Sequence, residues 1–265
     1  MANFIPIFIL IIGIVVQAGD GVKINKLKVP KLIKHGSPSV ILDCDFTLED
    51  SDEEPVVKWF FNNDRTLVYQ WIPGKRPQDS GILKGRLKLE YKASEDPNCL
   101  HRALYILQPG PDLSGNYTCL VSTFQSEEIR TKSMLVYVPG KNLALKVLYS
   151  NMEFTKVECR AEGAFPRPEL VLRLPEYGEI NDTQIDIKQQ GLLYDVTATA
   201  TIPTPPHPTD VSCVLNIPGA NYTMTQETVI FPGSSKGPRS IHSCGVLLHV
   251  IICTFMWRFP AAFVG

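Results

Sequence analysis

The sequence predicts an all-β chain: two tandem β-sandwiches set between a leader and a hydrophobic tail, within 265 residues. Three observations carry that prediction. Cys44, Trp59 and Cys119 follow one another in that order, with Tyr117 two residues before the second cysteine, in Asp112-Leu113-Ser114-Gly115-Asn116-Tyr117-Thr118-Cys119. A second pair, Cys159 and Cys213, follows at a shorter interval. Around both pairs the chain is written in short segments that alternate apolar and polar residues, bounded by turn-forming residues.

Cysteine, tryptophan, then Tyr-x-Cys is the order that marks an immunoglobulin sandwich. The cysteines bridge the sheets, the indole packs on the sulfurs, and the tyrosine anchors the turn that enters the second cysteine's strand. Val40 to Phe46 places Val40, Leu42, Cys44 and Phe46 on one face. The acidic run Glu49 to Glu54 reads as a solvated turn, since a calcium loop needs spaced ligands and a glycine. Val56 to Phe61 then turns Val57, Trp59 and Phe61 inward, and Asn62-Asn63-Asp64 is turn chemistry. Thr66 to Ile72 is the next strand, Leu104 and Ile106 belong to the strand before the tyrosine corner, and Ser133 to Val138 closes the sheet. The interval from Cys44 to Cys119 leaves room for two extra strands, so residues 19–138 are predicted as a variable-like domain.

Val138-Pro139-Gly140-Lys141-Asn142 reads as a short, stiff linker, and residues 142–231 as a second, constant-like domain. Cys159 pairs with Cys213 in this reading. The tryptophan position, near Val171 or Leu172, is aliphatic, and Val211 stands where the corner tyrosine would be. Leu170, Leu172 and Leu174, with Val196, Ala198, Ala200 and Ile202, are expected to fill the core, and the disulfide to carry more of the stability. Pro203 to Pro208 is a stiff loop into the Cys213 strand.

Both ends bear on location. Phe4 to Val16 is an apolar run of signal-peptide length, and cleavage after Ala18 makes residues 1–18 the signal peptide. Residues 232–243 form a polar stalk and residues 244–265 a hydrophobic tail. Small residues, a polar spacer and a terminal apolar stretch are the signal for a glycolipid (GPI) anchor, with Gly233 and Ser235 as attachment positions. The rival, a transmembrane span, needs at least about 17 apolar residues and the tail's clean core is about 14. The protein is therefore expected on the outer face of the plasma membrane, bound to it by lipid, with secretion as the alternative. Secretion also permits disulfides.

A net charge of −1 gives no footprint for nucleic acid, and the Lys23-Ile24-Asn25-Lys26-Leu27-Lys28 run reads as a solvated first strand. His35, His101 and His207 are scattered, without metal-ligand or nucleophile–base spacing, so no catalytic residue, metal or cofactor is expected. What remains is recognition. Alternation puts Lys58 and Phe60 outward on the Trp59 strand, and Tyr69 or Trp71 outward on the next, as contacts for a partner protein. Asn116, Asn181 and Asn221 head glycosylation sequons, with Asn116 facing outward. Cys99 has no partner within the first domain and reads either as a buried thiol or as a bridge to a second chain.

Val57-Lys58-Trp59-Phe60-Phe61, Tyr69-Gln70-Trp71-Ile72-Pro73 and Leu113-Ser114-Gly115-Asn116-Tyr117-Thr118-Cys119 follow one another as comparable segments do in the insect Beaten path (Beat) family, which this chain resembles in part of its first domain and in layout. Asn62-Asn63-Asp64-Arg65 and the Cys99 segment depart from that family's text. The resemblance implies a cell-surface adhesion protein of axon guidance that binds a Sidestep-like immunoglobulin receptor heterophilically. The alternative is a secreted immunoglobulin-domain binding or immune protein.

Overall fold

The computed structural model describes residues 21–63 and 66–232. The leader and the positions Gly233 and Ser235, with the tail beyond them, lie outside the described residues. The first domain runs through β1 (Lys23–Lys28), β2 (Leu32–Lys34), β3 (Ser39–Thr47), β4 (Val56–Phe61), β5 (Leu67–Trp71), β6 (Gln78–Asp79), β7 (Ala103–Leu107), β8 (Gly115–Ser122) and β9 (Glu127–Pro139). β1, β3 and β7 form the back sheet in that order. The front sheet runs β9-β8-β4-β5-β6, with β2 joined in parallel to β9. Pro30, with no N–H to donate to a ladder, lies where the chain leaves β1 on the back sheet and crosses to β2 on the front.

β1 has the mixed character the Lys23–Lys28 run predicts: Ile24 and Leu27 are buried and the three lysines exposed. In β4, Val57, Trp59 and Phe61 point inward, and Trp59 pairs in register with Cys119 on β8. The Cys44–Cys119 disulfide ties β3 to β8 beneath the buried indole, with Cα atoms 6.4 Å apart. The Trp59 indole N–H donates to the carbonyl of Arg102 at 3.2 Å, and the Tyr117 hydroxyl donates to the carbonyl of Leu113 at 2.9 Å, closing the tyrosine corner. The two extra strands are β5 and β6, and β6 is two residues long. The segment that follows returns to the back sheet only as a bridge from Leu87 to Ile106 and backbone bonds on either side.

Arg86 and Asp112 pin that segment to the corner turn through two side-chain hydrogen bonds. The Arg86 bond holds the Asp112 carboxyl below its ordinary value of 3.8 despite partial burial. A carboxylate whose folded pKa is depressed contributes stability above its unfolded pKa and loses it as pH falls through the folded one. Asp112→Asn should therefore lower the urea midpoint of the first domain at neutral pH, and the gap from wild type should narrow as the pH falls below the ordinary value of 3.8. A gap that persists unchanged in acid would mean the carboxylate charge contributes nothing.

The second domain comprises β10 (Leu143–Ser150), β11 (Phe154–Phe165), β12 (Glu169–Leu174), β13 (Gly178–Glu179), β14 (Gln184–Gln190), β15 (Leu193–Pro203), β16 (Thr209–Ile217) and β17 (Tyr222–Ile230). One sheet reads β10-β11-β15-β14 and the other β13-β12-β16-β17. The Cys159–Cys213 disulfide joins them. Leu172 pairs with Cys213 as Trp59 does with Cys119, so a leucine fills the tryptophan's place. Leu170, Leu172, Leu174, Val196, Ala198, Ala200 and Ile202 are all buried, as is Val211.

The two domains share a ladder. Val138 and Pro139 at the end of β9 pair with Phe165 and Ala164 of β11. Leu32, Leu135 and Tyr137 of the first domain pack on the core of the second, and the Tyr137 and Tyr222 rings stand 5.8 Å apart. Gly140 turns the linker at φ +87°, where a Cβ would stand 3.1 Å from the carbonyl oxygen of Glu162. A short linker that is hydrogen-bonded along its length, with apolar side chains on both sides, makes the junction a packed one.

Candidate recognition face

The outward face of the front sheet is built from residues in register across four strands. One row is Ile129 on β9, Leu120 on β8, Lys58 on β4 and Gln70 on β5. The next is Thr131, Thr118, Phe60 and Leu67, with the two threonine hydroxyls 2.8 Å apart. Below them Asn116 pairs with Ser133, whose hydroxyl donates to the asparagine side chain at 2.7 Å. Lys58 and Phe60 are thus on the face that alternation predicts, both half-buried by their neighbours, while Ile129 is 51% exposed.

Tyr69 and Trp71 are not on this face, which corrects the sequence-based expectation. Val57 pairs with Trp71 and Trp59 with Tyr69, and directly opposed residues of an antiparallel pair share a face. Both aromatics therefore point inward with Val57 and Trp59, and both are almost wholly buried. A bulge between Trp59 and Phe60 shifts the pairing, and Val68 is buried as well. The Tyr69 hydroxyl donates to the carbonyl of His101 at 2.6 Å, and burial pushes its pKa above the ordinary phenol range. Trp71 meets the His101 ring edge-on at 5.6 Å, and its indole N–H is buried without a partner among the described residues. A register read from one strand alone cannot reveal a bulge, so the inward half of β5 was misplaced.

Cys99 is also inside. Its sulfur packs against the carbonyl of Phe46, the residue is 6% exposed, and burial with Asp96 nearby pushes the thiol up to about 11. Of the two readings of Cys99, these contacts favour the buried thiol, since a buried, protonated sulfur reacts poorly with a second chain's cysteine.

Sequence reasoning missed the tip of the front sheet. The β8–β9 turn carries Phe124, 76% exposed. Its loop is laced to the β3–β4 turn: Asp52 accepts from the Thr123 and Ser126 hydroxyls at 2.9 and 3.1 Å, Phe124 N–H donates to Glu53 O, and Glu53 N–H donates to the Gln125 side chain. Desolvation would raise the Asp52 pKa, but these bonds and the Glu49 N–H hold it below its ordinary value. The acidic run is thus a brace for a fixed aromatic knob. An aromatic set among Ser122, Thr123, Gln125 and Ser126 was the signal available. Leu120, Ile129 and Phe60 share the outward face with Lys58, and Phe124 stands exposed in the turn beyond the outward Ser122–Glu127 pair, so aromatic and aliphatic side chains of the kind that anchor protein contacts are presented at one end of the sheet.

Asn116, Asn181 and Asn221 are all exposed. Asn116 sits at the end of this face away from Phe124, two rows from Leu120, so a glycan there would leave the tip half open. The described residues contain no group of three His, Cys, Asp or Glu able to hold a metal ion. A groove of about 180 Å³ on the outer face of β10 and β11, lined by Lys146, Glu158, Arg160 and Glu162 among others, is smaller than the roughly 300 Å³ at which ligand pockets begin. No helix among the described residues is long and apolar enough to cross a membrane.

Fold and face together define a variable-type immunoglobulin domain followed by a constant-like one. A family model described as the CD47 immunoglobulin-like domain, of the V-set, matches residues 22–143, so the first domain is similar to V-set immunoglobulin-like domains. The chain is 26% identical over 181 residues to Selection and upkeep of intraepithelial T-cells protein 1 of Macaca fascicularis, covering 66% of this chain and 49% of that protein. It thus spans about half the length of that curated relative. Bovine butyrophilin has the same fold with a TM-score of 0.61 and 18% identity, covering 76% of this chain and 95% of that one. The extracellular portion of mouse CD200RLa gives 0.53 and 15%, covering 76% and 97%.

Proposed function

We propose that this protein is a cell-surface recognition molecule that binds another surface protein heterophilically through the front sheet of its variable-like domain. One observation carries the reading: Leu120, Ile129 and Phe60 lie on the outward face of the front sheet, and Phe124 stands exposed on a turn braced by Asp52. Rigid aromatic side chains on a braced loop lose little entropy on binding, which is why they serve as anchors. A place in axon guidance, with a Sidestep-like immunoglobulin receptor as partner, enters through the resemblance to the Beaten path family. A glycolipid anchor at Gly233 or Ser235 enters through the tail. The test is a paired screen of surface-protein ectodomains with wild type and Phe60→Asp as probes. Phe60 is half-exposed on that face, so a charge there removes contact without opening the core.

A further inference from the structure

We infer that the far end of the second domain rests on the lipid headgroup layer, with Leu148, Tyr149, Met152, Phe154 and Phe231 entering the interface. The inference rests on the reading that the C-terminal apolar segment holds the chain at a membrane. Those five side chains are exposed by 46, 50, 86, 48 and 61%. They lie at one end of the sandwich. A bulge between Val147 and Tyr149 turns both Leu148 and Tyr149 outward just before the β10–β11 turn, which carries Met152. Phe154 opens β11 opposite Pro203, and the Thr204 N–H donates to the carbonyl of Glu153, so the loop after β15 lies beside that turn. β17 ends there too, Ile230 pairing with Thr209, and the next residue is Phe231.

The occupant follows from the chain that leaves this end. Phe231 is two residues before Gly233, and the apolar stretch begins at Cys244. With lipid attached at Gly233 or Ser235, this end of the domain is held at the membrane surface and the recognition tip points away from it. Aromatic, methionine and leucine side chains set round a rim are what the interface accommodates, while five of them in water on a monomer would be a liability. Contact of this kind would hold the two-domain rod upright.

Met152 reports it directly. The membrane-bound protein purified from expressing cells is reconstituted in phosphatidylcholine vesicles, and methionine oxidation by peroxide is followed by mass spectrometry, with Met224 near the domain junction as the internal reference. Met152 should oxidise about threefold or more slowly on the vesicle than after release, with Met224 unchanged. Tyr149→Ser with Phe154→Ser, both on exposed positions, should restore the released rate on the vesicle. Equal Met152 rates before and after release would overturn the inference. Release is by phosphatidylinositol-specific phospholipase C. If that enzyme fails to release the chain, the lipid-anchor reading fails, and a protease cut between Lys236 and Arg239 supplies the released state, so the interface contact is still decided.

Discussion

Trp59→Ala should unfold the first domain near physiological temperature, at a cost of about 3–5 kcal/mol. The indole is fully buried against the Cys44–Cys119 bridge and, with Trp71, is one of the two largest side chains in the core. Its removal leaves a cavity walled by β-strands that cannot close on it. Its N–H also fixes the carbonyl of Arg102, whose guanidinium bonds Asp43 on β3 at 2.9 Å. The substitution therefore loosens the long segment between β6 and β7 as well as the core. Against a domain stability of about 5–15 kcal/mol, a loss of this size is decisive. Urea unfolding read from Trp71, buried in the same core, checks it. A midpoint within experimental error of wild type would show that the sheets are held by the disulfide alone.

Removing the second bridge with Cys159→Ala and Cys213→Ala should unfold the second domain while the first stays folded. Opening a loop of 54 residues restores about 4 kcal/mol of denatured-chain entropy. The entropy released at Cys44–Cys119 would be similar, since the dependence on loop length is logarithmic. The difference lies in what remains. The first domain keeps Trp59, Trp71, Phe61 and Tyr117, whereas the buried core around Cys159 is made of leucines, isoleucines, valines and alanines, with no buried aromatic side chain among the described residues. Limited proteolysis should cut the double variant between residues 142 and 231 and spare residues 22–138. Cleavage no faster than in wild type would mean the junction with β9 and the leucine core suffice.

The fold could be read from a few residues because each has a demanding environment. Cys44, Trp59, Tyr117 and Cys119 work only together, and Leu172 and Val211 are visible substitutes for a missing tryptophan and tyrosine. The candidate face was half legible. Lys58 and Phe60 follow from alternation within one strand, but Tyr69 and Trp71 depend on register across a bulge, which no single strand encodes. Their burial has a further consequence. Trp59, Tyr69, Trp71, Tyr117 and Cys119, the residues that carry most of the Beaten path resemblance, all sit in the core. They specify an immunoglobulin sandwich, and under the proposed function partner choice would reside instead in Leu120, Ile129, Lys58 and Phe60 and in Phe124, which lies outside the resembling segments. The brace on Phe124 was hidden because the acidic turn and the β8–β9 loop are distant in sequence and meet only in the fold.

The most direct test of recognition through this face is the paired screen. Wild-type and Phe60→Asp ectodomains of equal thermal stability are presented to the same set of surface-protein ectodomains, and any wild-type partner is titrated against both. The front-sheet account predicts a partner whose affinity falls by tenfold or more with Phe60→Asp, about 1.4 kcal/mol or more. A partner bound equally by both proteins would contradict it and move the recognition surface off the front sheet.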